Sequence, residues 1–232
     1  MNASLVKMNL EAVRDRIHRA AEACGRPKDA IRLVAVSKTK PAHMIKAAAD
    51  AGVMDFGENY IQEAREKFNT LAAYPLSWHF IGHLQSNKAK YAVRIFDLIH
   101  SVDSLKLATE LNRQAQKIGK LQNILIQVNV AVEATKSGIL PEDALRLIRA
   151  ISQFDNIHIK GLMALPPYFN APEKVRPFFS ALRQLRDQIR GESFQGVSMD
   201  ELSMGMTGDF ETAIEEGATL VRIGTAIFGE RQ

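Results

Sequence analysis

Cysteine is all but missing from this sequence. Cys24 is the single one, so neither a disulfide within the chain nor a cysteine-based metal cluster can form. The N-terminus also lacks the charged segment and short apolar run of a secretory leader. Together these lead to the expectation of a reducing, cytoplasmic setting. No apolar run approaches the roughly 18 residues that a membrane helix needs. Low-complexity and disordered stretches are absent as well. Basic residues outnumber acidic ones only slightly, 30 against 26, and they never gather into a block of roughly five or six. A mildly basic surface is the simple reading; it suits an anionic small ligand and offers no footprint for nucleic acid. Finally, no G-x-G-x-x-G and no Walker A loop follows any apolar run, which argues against a doubly wound nucleotide-binding sheet.

What is present is a rhythm. Val6, Leu10, Val13, Ile17, Ala21 and Cys24 recur at helical spacing and predict an amphipathic first helix with a core-facing stripe. Short apolar, partly β-branched runs then alternate with helical segments. The pattern predicts strands ending at Lys38 and covering 53–56, 77–82, 95–102, 123–130, 157–164, 194–199 and 219–223. Helices are expected between them, one capped by Asp103-Ser104 and one opened by Pro141, where proline suits the first helical position. Alternation of this kind makes right-handed crossovers and a parallel sheet. Repeated eight times, it predicts an α/β fold: a closed (β/α)₈ TIM barrel with an extra N-terminal helix. With 232 residues and no interior linker, the expectation is one domain over 1–232.

In such a barrel, ligands collect at the carboxyl ends of the strands. Lys38 stands where the first strand opens into its loop, on the same strand face as Val34 and Val36. It reads either as a solvated loop lysine, like Lys40, or as an amine that condenses with an aldehyde, since a semi-apolar pocket favours the neutral nucleophile. Barrel closure sets the last two strands beside the first. The segment Glu201-Leu202-Ser203-Met204-Gly205-Met206-Thr207-Gly208 follows the seventh strand, and Gly224-Thr225-Ala226-Ile227-Phe228, a single helical turn, follows the eighth. Glycines and hydroxyls there suit an anion, although each segment is also an ordinary turn. Asp209 and Glu211 are acidic, which places a phosphate nearer Ser203 and the Gly224-Thr225 turn than at the helix that follows Gly208.

Arg222 interrupts the eighth strand and needs an acceptor, either a ligand or an internal carboxylate such as Glu58 or Asp200. Asn59 ends the second strand and reads as a turn residue, a cap or a ligand contact. His79 and His83 are four apart but fall on a strand and the turn beyond it, so no metal is expected. His83 is placed at the mouth and His79 inside the barrel. Lys136 is a solvated rim lysine.

Taken together, Ala35-Val36-Ser37-Lys38, Phe56-Gly57-Glu58-Asn59-Tyr60, His79-Phe80-Ile81-Gly82-His83-Leu84-Gln85, Gly161-Leu162-Met163, Leu202-Ser203-Met204-Gly205-Met206 and Val221-Arg222-Ile223-Gly224 resemble, in order, the pyridoxal phosphate homeostasis proteins of the YggS/PROSC family. The resemblance implies a fold like the alanine racemase N-terminal barrel, fold type III of the pyridoxal phosphate proteins. It implies pyridoxal 5′-phosphate (PLP) held as a Schiff base on Lys38. Ser203, Gly224 and Thr225 would hold the phosphate, with Arg222 facing the pyridine nitrogen and Asn59 near the ring; Met204, Gly205 and His83 are further cofactor-binding residues the resemblance implies. Thr207-Gly208-Asp209 departs slightly from the family pattern, which bears on the phosphate contacts. The implied partners are PLP and PLP-accepting apoenzymes, without nucleic acid or membrane, for a monomer or weak homodimer.

An arginine opposite the ring nitrogen opposes pyridine protonation and weakens the electron sink. The expectation is therefore a PLP homeostasis protein without robust turnover. In alanine racemases the second base comes with a β-rich domain, and none is expected after Gln232. A racemase would need a substitute base such as His83 or Tyr60. The remaining alternative is a barrel that binds another phosphate ester.

Overall fold

The computed structural model describes residues 3–133, 136–167, 169 and 171–230. Eight parallel strands close in sequence order into a barrel. They are β1 (Arg32–Val36), β2 (Asp55–Glu58), β3 (Ser77–Phe80), β4 (Leu98–Val102), β5 (Gln122–Gln127), β6 (Ile157–Met163), β7 (Val197–Ser203) and β8 (Leu220–Ile223). The helices are α1 (Ala3–Ala23), α2 (Ala42–Asp50), α3 (Ile61–Thr70), α4 (Ala89–Ile95), α5 (Leu105–Gln116), α6 (Pro141–Ile151), α7 (Arg176–Arg190), α8 (Phe210–Glu215) and the short α9 (Thr225–Phe228). β1 pairs with β2 on one side and β8 on the other, so the sheet has no free edge. No helix among the described residues is long and apolar enough to cross a membrane.

Local chemistry explains the elements. α6 begins with Pro141, carries Glu142 and Asp143 in its first turn, and buries Ala144, Leu147, Ile148 and Ile151 along one stripe. The hydroxyl of Ser104 accepts the Leu107 N–H at 3.4 Å as the cap of α5. α1 buries Val6, Leu10, Val13, Ile17 and Ala21 and packs against α2, α8 and α9. Cys24 lies beyond that stripe and is exposed. Most of the apolar core sits between strands and helices, whereas Val34, Leu98, Leu125, Met163 and Leu220 form a separate cluster inside the barrel.

Every strand differs from its expected bounds by at least one residue, and three start two or more residues late. β2 starts at Asp55, two residues late. β4 starts at Leu98, because Ile95 is a buried residue of α4. β7 runs from Val197 to Ser203 rather than over 194–199. Its pattern is obscured for two physical reasons. Met199 has a left-handed φ of 54°, which breaks the alternation. Glu201 is polar because it accepts from Arg32 at 2.7 Å and from the Thr219 hydroxyl at 2.5 Å at the barrel's amino-terminal end.

β6 and β7 meet at Gly161. A Cβ there would stand 1.8 Å from the Glu201 carbonyl oxygen, a backbone atom that cannot rotate away. Gly161→Ala is therefore expected to lower stability by about 2 kcal/mol or more. Denaturant unfolding at unchanged m-value reads this, and a wild-type midpoint contradicts it.

Candidate functional site

The chain leaves β1 through a tight turn in which the Ser37 carbonyl accepts the Lys40 N–H at 3.0 Å. Lys38 therefore sits just past the strand, and Thr39 adopts a left-handed φ of 63°. That conformation is unfavourable for a β-branched residue, and polar side chains from β2 and α3 hold it. The Ser37 hydroxyl donates to Glu58 Oε1 at 2.6 Å. Lys67 Nζ donates to the Ser37 carbonyl at 2.7 Å, to Glu58 Oε1 at 2.7 Å and to Glu63 Oε1 at 2.5 Å. Glu63 in turn accepts the Thr39 N–H. Glu58 and Lys67 are buried. Burial pushes the Glu58 carboxyl up, against the pull of Lys67 and Ser37. This clamp acts on both residues that flank Lys38.

Above the carboxyl ends of the strands lies a cleft of about 360 Å³, within the size range of small-molecule sites. Val36 and Lys38 line it from β1, Asn59 and Ile81 from the next two strand ends, and Leu165 from the loop after β6. The loop after β7 contributes Met206, Thr207, Gly208 and Asp209; β8 and its turn contribute Arg222, Gly224 and Thr225. Close backbone approach shapes the walls. A Cβ on Gly224 would lie 3.2 Å from the Val36 carbonyl oxygen, and one on Gly82 would lie 2.4 Å from that of Asn59.

Of the residues singled out from sequence, Lys38, Asn59, Arg222, Gly224 and Thr225 meet in this cleft. Ser203, Met204 and Gly205 do not line it. Ser203 is buried against Arg222 beneath the floor, and Met204 is buried in the main apolar core. Gly205 packs against α8, and a Cβ there would stand 2.6 Å from Ala213. His83 is exposed and outside the lining, as is Tyr60. Lys136 pairs with Glu133 at 3.4 Å, away from the cleft.

Arg222 does not use either carboxylate considered as its internal partner. Glu58 is engaged by Lys67 and Ser37, and Asp200 faces Arg190 at 3.3 Å on the outer surface. Arg222 Nη2 instead donates to the Ala164 carbonyl at 2.9 Å, and Nη1 donates to the Ser203 hydroxyl. Burial pushes the guanidinium down to about 10, with Asp209 pulling the other way. The cation is thus fixed from behind while still lining the cleft. Asn59 Oδ1 is buried with no hydrogen-bond partner, an acceptor at the cleft wall that a ligand donor could fill.

Sequence reasoning placed the phosphate nearer Ser203 than the helix start after Gly208 because of the acidic Asp209, and so did not count Met206, Thr207 and Gly208 among the site residues. In the fold the Asp209 carboxylate turns back and accepts the Met206 N–H at 2.6 Å. Burial raises its pKa, against that hydrogen bond and Arg222. The Thr225 hydroxyl donates to the Thr207 hydroxyl at 3.1 Å, so two hydroxyls stand side by side. The hydroxyl–glycine pair before a helix was the available signal. Ile81 and Leu165 carried none, being ordinary apolar residues in sequence. Among the described residues no group of three or more His, Cys, Asp or Glu could hold a metal ion.

The chain is similar to known proteins along its length. A family model of the alanine racemase N-terminal domain matches residues 8–232. A pyridoxal phosphate homeostasis protein of Aquifex aeolicus is 45% identical over 223 residues, covering 96% of this chain and 97% of that one. Its counterpart from Escherichia coli is 46% identical over 228 residues, covering 96% and 95%. The structure of PipY from Synechococcus elongatus with PLP bound superposes with a TM-score of 0.84 at 35% identity, covering 97% of this chain and 100% of that one. An alanine racemase from Clostridium difficile shares the fold at a TM-score of 0.77 and 15% identity, over 98% of this chain and 57% of its own.

The clamp yields a test. Lys67→Met removes the counterion of the buried Glu58 and the donor to Ser37, so stability is expected to fall by about 3 kcal/mol. Amide exchange at Thr39 and Lys40 is expected to accelerate in the same variant. Wild-type stability and exchange would show that the clamp does not hold the turn.

Proposed function

The chain belongs to the family of pyridoxal phosphate homeostasis proteins, and from that membership we propose that it binds PLP in the cleft, with the Lys38 amine as the point of covalent attachment. Its role is to hold this reactive aldehyde and pass it to PLP-accepting apoenzymes. The observation that carries the reading is the convergence in one cleft of an amine, a buried cation and a hydroxyl pair: Lys38, Arg222, and Thr207 with Thr225.

The residues suit the group. The cleft volume fits a small aromatic ligand. The orphaned Asn59 Oδ1 offers an acceptor, and Val36, Ile81 and Leu165 offer apolar walls. When bound, PLP supplies an aldehyde and an electron sink. Lys38 supplies the nucleophile. Thr207 and Thr225, with the glycines beside them at 208 and 224, supply donors for the phosphate. Arg222 sets a fixed positive charge at the floor, which disfavours a second positive charge on the ring nitrogen and so weakens the sink. A racemase reading needs a second base, and neither His83 nor Tyr60 lines the cleft.

Adding PLP to the purified protein is expected to give a visible absorption band that borohydride removes, leaving a reduced adduct that peptide mapping places on Lys38. Lys38→Ala is expected to lose the band and the adduct. An adduct trapped equally well in that variant refutes the attachment point.

A further inference from the structure

A row of hydrogen bonds runs through the barrel from the cleft floor to the opposite end. At the floor, Arg222 Nη1 meets the Ser203 hydroxyl. Ser203 Oγ lies 2.9 Å from His100 Nδ1, on the far side of the lumen. His100 Nε2 lies 3.0 Å from His79 Nδ1. His79 Nε2 lies 3.0 Å from Asp55 Oδ1, with the Ser77 hydroxyl 3.1 Å away beside that link. The strands involved are β8, β7, β4, β3 and β2, so the row crosses the barrel interior. Arg222, Ser203, His100 and His79 are all buried. Asp55 opens the amino-terminal mouth, 3.8 Å from Arg32.

The two ends dictate the protons. An arginine can only donate and an ionised carboxylate can only accept. Burial pushes the Asp55 carboxyl up, but His79, Arg32 and Ser77 outweigh it and hold it below its ordinary value. Starting at Arg222, Ser203 accepts and must pass its own hydrogen to His100 Nδ1. His100 is then protonated on Nε2 and donates to His79 Nδ1, and His79 donates from Nε2 to Asp55. Each link receives one hydrogen and one lone pair. A cationic His79 would reverse His100, leaving the Ser203 hydroxyl facing two donors with no acceptor for its own hydrogen among the described residues. Burial first, and then the nearby Arg222 and Arg32 charges, also hold His100 well below the usual imidazole range.

We propose that Ser203, His100, His79 and Asp55 form a positioning relay that fixes the Arg222 guanidinium at the cleft floor from the far end of the barrel. In this pattern each imidazole accepts at Nδ1 and donates from Nε2, so the row runs in one direction from Arg222 to Asp55. Asp55 therefore acts on the cleft without touching it. What Arg222 is positioned against rests on the PLP reading; the relay itself belongs to the ligand-free protein.

Long-range proton–nitrogen NMR of the PLP-free, ¹⁵N-labelled protein tests the relay directly, with His79→Gln and His100→Gln for assignment. Both rings are expected to be neutral and protonated on Nε2 at neutral pH. An imidazolium on either ring, or an Nδ1–H form of His100, overturns the proposal. Asp55→Asn removes the charge at the remote end. It is expected to shift the visible band of bound PLP and to raise its dissociation constant about tenfold, the loss of one charge-assisted link. A wild-type spectrum and affinity in a folded Asp55→Asn protein overturn the relay; if that variant does not fold, the wild-type tautomers decide alone. Failure of wild-type protein to form a borohydride-trapped adduct would instead sink the PLP reading and leave the tautomers to be judged separately.

Discussion

Everything at the cleft depends on β8 taking β1 as its neighbour. The register sets Arg32 against Leu220, Val34 against Arg222 and Ala35 against Ile223. Two residues beyond Val34, the β1 backbone meets Gly224, where any side chain would press on the Val36 carbonyl. The turn bearing Lys38 and the turn bearing Thr225 consequently leave the barrel side by side. In an open sheet of the same strand order these turns would lie at opposite edges. The meeting of first-strand amine and last-strand cation is thus a consequence of closure, and closure in turn follows from the strand–helix alternation with helices covering every strand.

The interior is not built for maximum stability. The apolar cluster of Val34, Leu98, Leu125, Met163 and Leu220 fills only part of the lumen, and the rest holds Arg222, two histidines and Ser203. A buried polar atom without a partner costs about 1–3 kcal/mol, a sizeable share of the roughly 5–15 kcal/mol typical of whole domains. Two such atoms, Glu58 Oε2 and Asn59 Oδ1, are neighbours in sequence at the end of β2. An apolar lumen would avoid the desolvation of Arg222. Its retention marks this end of the barrel as shaped for binding rather than for packing.

Much of this was legible in the chain. The eight-fold alternation has a period long enough to read, and it yielded the closed barrel. Lys38, Asn59, Arg222, Gly224 and Thr225, which meet in the cleft, were singled out because strand ends carry ligand groups in such folds, and the family resemblance implied their roles. What was not legible depended on partners distant in sequence. β7 hid behind Glu201, whose companions are Arg32 and Thr219. The internal partner considered for Arg222, beside a ligand, was a carboxylate, whereas its acceptors are a backbone carbonyl and a serine, and carbonyls leave no mark in a sequence. Asp209 looked like a repellent charge next to Thr207 because local order does not show which way a side chain turns.

The cleft is held by two polar assemblies that approach it from opposite walls. Under β1, Lys67, Glu58 and Glu63 fix the backbone on either side of Lys38. Under β8, Ser203 and the Ala164 carbonyl fix the Arg222 guanidinium. The first sets one lysine between two carboxylates and the second meets the Arg222 charge with neutral acceptors, and both stand in the ligand-free protein. The strained Thr39 conformation is affordable only because the first assembly determines the turn from several directions. A reactive group set in place before its ligand arrives loses less freedom on binding. Rigid placement on both walls therefore presents an amine and a cation to one small cleft with little left to order when a ligand binds.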